Sequence, residues 1–233
     1  MRKKILMVVA AMMATLSVSA QSRFEAGTFT VQPYLGGTGA RLSNMPDISP
    51  SETGLSKKID ATFTGGSIIG AEVEYRFTDR LSVAAGVNYA QAGSGWEDTK
   101  ITDRGITAEL KDFKVETSYL NVPLTLNYYL FKGFAVKAGA QFGFLTSADM
   151  KAKLSYSGDG HSATTKFDED MKESFNKFDF SIPVGISYEF KIPICIDVRY
   201  NIGITKVNKD SEPGEKDSKN QMASITIGYK FGL

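Results

Sequence analysis

The C-terminal residues 220–233 alternate between large apolar side chains and small or polar ones. The apolar positions are Ile225, Ile227, Tyr229, Phe231 and Leu233. A period of two predicts a β-strand with one apolar and one polar face. Large apolar side chains that end in aromatics suit a strand lying against lipid, with the aromatics at one membrane interface. The last strand of a soluble sheet would show the same alternation.

Seven further stretches alternate in the same way. They are residues 28–39, 67–77, 81–91, 115–130, 134–146, 177–190 and 194–205. Short connections at 78–80, 131–133 and 191–193 alternate with long polar segments at 40–66, 92–114, 147–176 and 206–219. Outer-membrane barrels have this layout, with short periplasmic turns and long outer loops. The sequence therefore predicts an all-β fold: an eight-stranded antiparallel up-and-down transmembrane β-barrel with both termini in the periplasm.

The polar faces of these strands carry charges of both signs. The charged positions are Glu72, Glu74, Arg76, Lys137, Asp179, Glu189, Asp197, Arg199 and Lys230. Inside an enclosed lumen such nearly balanced charges can pair, so we predict a luminal charge network. A soluble, lipocalin-like barrel would instead leave these residues in solvent and bury the apolar face around a ligand.

Two further features of the sequence favour the membrane orientation. Glycines crowd the polar face, as a narrow interior requires. Aromatic residues gather beside the short connections, as at a membrane interface. These aromatics are Phe77, Tyr128, Phe134, Tyr188, Phe190, Tyr229 and Phe231.

The N-terminus predicts export. Arg2, Lys3 and Lys4 precede a short apolar run, and Val-Ser-Ala at 18–20 supplies a cleavage site. Residues 1–20 are therefore predicted to be a signal peptide, followed by one barrel domain over 21–233. The predicted mature chain carries 24 basic and 26 acidic side chains, so its charge does not favour nucleic acid. Its single cysteine, Cys195, rules out an internal disulfide.

Candidate chemistry is sparse along the chain. The only histidine, His161, lies in a predicted loop near Ser162 and Asp168. A histidine-based catalytic site needs rigid partners at hydrogen-bonding distance, so we interpret His161 as a solvated loop residue. Cys195 is predicted to face inward as a packed free thiol, and Trp96 to anchor the outer interface.

An acidic cluster in the third long segment invites a test for Ca²⁺ binding. It consists of Asp168, Glu169, Asp170 and Glu173, interleaved with Lys166 and Lys172. Carboxylates are Ca²⁺ ligands, but this spacing does not match an EF-hand. We interpret it as a solvated charge run. The sequence thus predicts no enzyme, no metal site and no cofactor.

Several strand motifs resemble those of a known family. They are TSYLNVPLTLNYYLFKGFAVKAGAQFGFL at 117–145, FNKFDFSIPVGISYEF at 175–190, DVRYNIGITKV at 197–207 and SITIGYKF at 224–231. Together with the signal peptide they resemble the PorT-type outer-membrane β-barrel family of Bacteroidota, over about residues 24–233. The resemblance implies an outer-membrane barrel without a cofactor. PorT is associated with type IX secretion.

The predicted barrel has an OmpA/OmpX-like architecture, and eight strands leave an interior just wide enough for side chains. We expect a structural or interaction role that displays four extracellular loops. A component of a secretion or outer-membrane assembly machine is the alternative, and a small-solute channel is a third. Expected partners are outer-membrane lipid, the barrel assembly machinery through the C-terminal strand, and an extracellular or secretion-system protein.

Overall fold

The computed structural model describes residues 25–44, 61–103, 106–158, 161–209 and 217–233. Its strands are β1 (Phe29–Leu42), β2 (Ala61–Thr62), β3 (Thr64–Arg76), β4 (Leu81–Trp96), β5 (Thr99–Asp103), β6 (Ile106–Phe131), β7 (Phe134–Gly158), β8 (His161–Asp170), β9 (Phe178–Glu189), β10 (Ile194–Gly203), β11 (Asn220–Tyr229) and β12 (Phe231–Gly232). A short 3₁₀ helix, Lys172–Ser174, follows β8. The predicted signal peptide and parts of all four long segments lie outside the described residues.

Eight strands close into a ring. Neighbours pair antiparallel in the order β1, β3, β4, β6, β7, β9, β10 and β11, and β11 returns to β1. Closure satisfies the backbone groups that a free sheet edge would expose. The predicted eight-stranded up-and-down barrel is confirmed.

No helix in the described part of the chain has the length and hydrophobicity needed to cross a membrane.

The alternation of each strand sets the two faces of the barrel wall. On β11, Ile227 is 50% exposed on the outside, whereas its neighbour Thr226 is 7% exposed inside. Other outward side chains are also large and apolar, among them Leu35, Val73, Val87, Leu124, Leu126, Ile186 and Val198. The wall thus presents a continuous apolar surface, as lipid requires.

Aromatic side chains collect on the outside near the short turns, as predicted. Tyr188 and Phe190 lie 4.8 Å apart between ring centroids, and Tyr75 and Phe77 lie 5.0 Å apart. Phe231 differs from the prediction, because it is buried and packs 4.6 Å from Tyr229.

The predicted boundaries of the outer loops are wrong. β6 and β7 run for 26 and 25 residues, whereas a tilted strand crosses the membrane in about 9–11. Their outer halves occupy much of the predicted loops at 92–114 and 147–176, and β5 and β8 extend this sheet on either side. These outer halves keep the period of two, with Ala148, Met150, Ala152, Leu154 and Tyr156 alternating with polar residues on β7, so the prediction ended both strands too early. β1 likewise continues to Leu42.

Apolar side chains fill the outer end of the barrel interior, where a polar lumen was expected. We call this group the outer cluster. It contains Tyr34, Ala40, Leu42, Ile68, Ala90, Ala92, Trp96, Val115, Tyr119, Leu145, Ala148, Phe175, Val207 and Met222. Trp96 stacks on Phe113 at 4.5 Å between ring centroids. The prediction that Trp96 anchors the membrane interface is therefore wrong: its ring is buried and packs inside this cluster.

Candidate functional site

The barrel interior between the short turns and the outer cluster holds the nine charged residues selected from the sequence. The structure places all nine inside, each at most 8% exposed. Each lies on the inward face because its neighbours in sequence face lipid. Eight of them meet in two groups, and the ninth, Asp179, lies apart from both.

The group nearest the short turns consists of Glu74, Arg76, Glu189 and Lys230, and we call it the periplasmic quartet. Lys230 Nζ donates to Glu74 Oε2 at 2.7 Å and also to Glu189. Arg76 Nη2 lies 3.4 Å from Glu74 Oε1 and 3.6 Å from Glu189 Oε2. The Tyr129 hydroxyl lies 2.7 Å from Glu74 Oε1 and 2.6 Å from Glu189 Oε1. Its one proton can be donated to either of these carboxylates.

The second group consists of Glu72, Lys137, Asp197 and Arg199, and we call it the middle quartet. Arg199 binds Glu72 through both terminal nitrogens, with Nη2 to Oε2 at 2.8 Å. Its Nε donates to Asp197 Oδ1 at 2.7 Å, and Lys137 Nζ donates to Asp197 Oδ2 at 2.6 Å. Strands β3, β7 and β10 supply these side chains, so the quartet spans the lumen.

Each quartet contains two acids and two bases, so each is neutral as a unit. An isolated charge in such an interior would cost several kcal/mol. Mutual pairing removes most of that penalty, and the bidentate contact of Arg199 fixes its geometry. The quartets therefore join strands that are not neighbours in the sheet.

Asp179 is bound by neutral partners instead. Thr205 Oγ1 donates to Asp179 Oδ1 at 3.0 Å, and Asn220 Nδ2 donates to Oδ2 at 3.2 Å. The Thr205 hydroxyl in turn accepts from the backbone of Phe180 at 2.8 Å. Asp179 thus ties β9 to the outer ends of β10 and β11.

The cavities between these groups are small. One, of about 20 Å³, lies beside Asp179 and Asn220, and another, of about 10 Å³, lies beside Asp197 and Arg199. A single water molecule needs about 10–15 Å³. Each cavity therefore has room for about one water.

Two of the buried tyrosines lie beside the quartets, and the sequence interpretation did not include them in the network. Tyr129 bridges the periplasmic quartet, and the Arg76 guanidinium carbon lies 3.8 Å from the centroid of its ring. Tyr34 lies 6.0 Å from the guanidinium carbon of Arg199, measured to the ring centroid. The signal was present, since both tyrosines occupy polar-face positions in their strands. The predicted network contains charged side chains only.

The remaining candidates lie elsewhere. Cys195 is a buried free cysteine. His161 is the first residue of β8, so the prediction that it lies in a loop is wrong, and Asp168 to Asp170 end the same strand. Among the described residues, no three His, Cys, Asp or Glu side chains are grouped closely enough to hold a metal ion.

A closed barrel with an apolar outer wall and a charge-filled interior defines an outer-membrane β-barrel protein, located in the outer membrane. Residues 19–209 match the model of the outer membrane protein beta-barrel domain family. The chain belongs to this family.

Several solved structures are similar to this chain. Ail, the attachment invasion locus protein of Yersinia pestis, is 14% identical with a TM-score of 0.41, and the match covers 88% of this chain and 99% of Ail. Neisserial surface protein A is 16% identical with a TM-score of 0.40, covering 87% and 97%. OprG from Pseudomonas aeruginosa is 18% identical with a TM-score of 0.33, covering 89% and 97%. A comparison with curated proteins found no match.

Proposed function

We propose that this protein is a closed, non-catalytic outer-membrane barrel that displays a rigid sheet on the cell surface for interaction with other molecules. The filled interior is the observation that carries the proposal. Two neutral quartets occupy its periplasmic and middle parts, and the outer cluster occupies its outer end. A lumen packed in this way supports a structural barrel better than a diffusion pore.

The displayed surface is the outward continuation of the barrel wall. Beyond the membrane, β5, β6, β7 and β8 form a four-stranded antiparallel sheet. An ordered sheet loses less conformational entropy on binding than a flexible loop does. The lower entropy cost favours a binding role. The binding surface is then a preformed sheet and not the flexible loops that the sequence predicted.

Conductance separates this proposal from the channel alternative. We expect the purified protein to show little or no steady current in planar lipid bilayers, because paired charges and the outer cluster occupy the interior. Arg199→Ala serves as the probe of the lumen. Large, ion-selective openings that change with this substitution would contradict the closed barrel.

A component of a secretion or outer-membrane assembly machine is the second candidate. The strand motifs that resemble PorT-type barrels support it, as does a pocket of about 480 Å³ at the periplasmic end, lined in part by Arg80, Phe131 and Lys132. Such a pocket suits a periplasmic partner. The test is to delete the gene and measure secreted cargo. Loss of a whole class of secreted proteins would favour this role over surface display.

A further inference from the structure

Three lysines stand in one row across the outer sheet. Lys111 on β6 is directly opposite Lys153 on β7, which is directly opposite Lys166 on β8. Residues in register on adjacent strands project from the same face, about 5 Å apart. Like charges in this arrangement repel one another. The row therefore has a cost in the unliganded sheet that a bound anion would remove.

The acids near this row neutralise it only in part. Lys111 Nζ lies 2.6 Å from Glu109 Oε2, and Lys153 Nζ lies 2.5 Å from Asp112 Oδ2. None of the described side chains forms an ion pair with Lys166. Within the described part of the chain, one positive charge of the row is thus left without an ion-pair partner.

A second pair of lysines lies in the next row towards the membrane. Lys114 is opposite Lys151, and both bind one carboxylate, Glu116, at 2.7 and 2.5 Å. Asp168 on β8 completes this row opposite Lys151. A third row, nearer the membrane, is acidic and contains Glu116, Asp149 and Asp170.

A shallow pocket of about 260 Å³ lies over the two lysine rows. The charged residues that line it are Lys114, Lys151, Lys153, Lys166, Asp112 and Asp168. With Glu116, which binds Lys114 and Lys151, three acids face these four lysines, so one positive charge is in excess. The pocket therefore suits an anionic group.

This face of the sheet continues the lipid-facing wall of the barrel. Val115 and Ala148 pack inside the outer cluster, so the side chains next to them in sequence, such as Lys114, project to the outside. Further down β6, the outward position Leu120 is apolar and exposed. Lys114 is six residues beyond Leu120, about 20 Å along the strand. The lysines thus project from the outward face beyond the lipid-facing wall, on the side of the outer leaflet.

We propose that Lys111, Lys114, Lys151, Lys153 and Lys166 form a lysine patch that binds phosphate groups of the glycolipid in the outer leaflet. Two ammonium groups one strand spacing apart, about 4.8 Å, can donate to the same phosphate. Continuity with the lipid-facing wall selects a membrane glycolipid over a soluble polyanion. The inference rests on surface display of the outer sheet, as proposed above, but not on a closed lumen.

Binding of fluorescent lipopolysaccharide to the detergent-solubilised barrel tests the lysine patch. We expect saturable binding that weakens with salt, and about tenfold weaker binding for the Lys153→Gln/Lys166→Gln variant, which loses two charge-assisted contacts. Lys153→Arg/Lys166→Arg should keep most of the affinity. The matched control is Lys132→Gln/Lys191→Gln, which removes the same charge from two periplasmic turns and should bind like the wild type.

Two further probes identify the source of the anion. Dephosphorylated lipopolysaccharide should bind at least about tenfold more weakly, because the patch recognises phosphate. Dextran sulfate represents a soluble polyanion. If the protein binds dextran sulfate tightly and does not bind lipopolysaccharide, the ligand is not a membrane glycolipid. If Lys153→Gln/Lys166→Gln and Lys132→Gln/Lys191→Gln bind lipopolysaccharide with equal affinity, the lysine patch is not the binding site. If the barrel conducts ions but still binds lipopolysaccharide, the proposal of a closed lumen fails and the lysine patch stands.

Discussion

Replacing Arg199 with methionine is expected to destabilise the barrel by roughly 3–5 kcal/mol, the usual cost of breaking a buried ion pair from one side. The substitution removes the bidentate contact with Glu72 and one of the two cations that bind Asp197. Lys137 alone would then face two buried carboxylates. The measurement is the free energy of unfolding in urea, with the barrel folded into lipid vesicles.

Two variants serve as controls for this prediction. Lys100→Met breaks an outer pair with Glu109 in which the lysine side chain is 61% exposed, and such pairs contribute about 0–1 kcal/mol. Arg199→Met/Glu72→Met removes one acid and one base together and leaves Lys137 paired with Asp197. It should recover part of the lost stability. Equal stability of Arg199→Met and Lys100→Met would show that the middle quartet is not a buried network.

Ile227→Arg is expected to cost roughly 2–4 kcal/mol, because a charge on the lipid face loses its water. Ile227 lies on the outside of β11 among other apolar side chains of the wall, beside Ile196 on β10 and Leu35 on β1. Urea-dependent folding into vesicles measures this cost.

The matched control is Gln221→Arg. Gln221 shares the face and strand of Ile227 but lies at the outer end of β11. Near the interface an arginine costs only about 0–1 kcal/mol. If both variants lose the same stability, the depth of Ile227 in the membrane is wrong.

Alternation along each strand was sufficient to predict the barrel. The side-chain period of two is a local property, so Ile227 and Thr226 could be assigned to opposite faces without any knowledge of strand order. The same parity placed the nine charged residues on the inward face. The short turns set which strands are neighbours.

The partners within the lumen could not be predicted from local pattern. Arg199 and Glu72 are 127 residues apart in sequence, and strands β11 and β1 separate their strands in the ring. Whether such side chains meet depends on the stagger between strands and on closure of the barrel, which are properties of the whole sheet. Parity alone therefore says that these residues face inward, but not that they form two neutral groups.

The outer sheet was missed for a different reason. Its alternating apolar residues, such as Met150 and Leu154, are modest in number and lie in a segment dense in charged side chains, which resembles a long polar loop. A further signal was available, since Asp159-Gly160 stands between β7 and β8 and this dipeptide is typical of a two-residue hairpin turn. Trp96 was misplaced because an inward aromatic beyond the membrane has the same local pattern as an interfacial one.

The most direct test of the membrane barrel uses spin labels attached singly at positions 226 and 227 of protein folded into lipid vesicles. Collisions with oxygen report lipid, and collisions with a water-soluble relaxing agent report solvent. The structure predicts that the label at 227 is far more accessible to oxygen than the label at 226. If the label at 226 has the greater access to oxygen, the assignment of inward and outward residues on β11 is wrong. If neither label contacts lipid, the apolar wall does not face the membrane, and the membrane assignment that depends on it is contradicted.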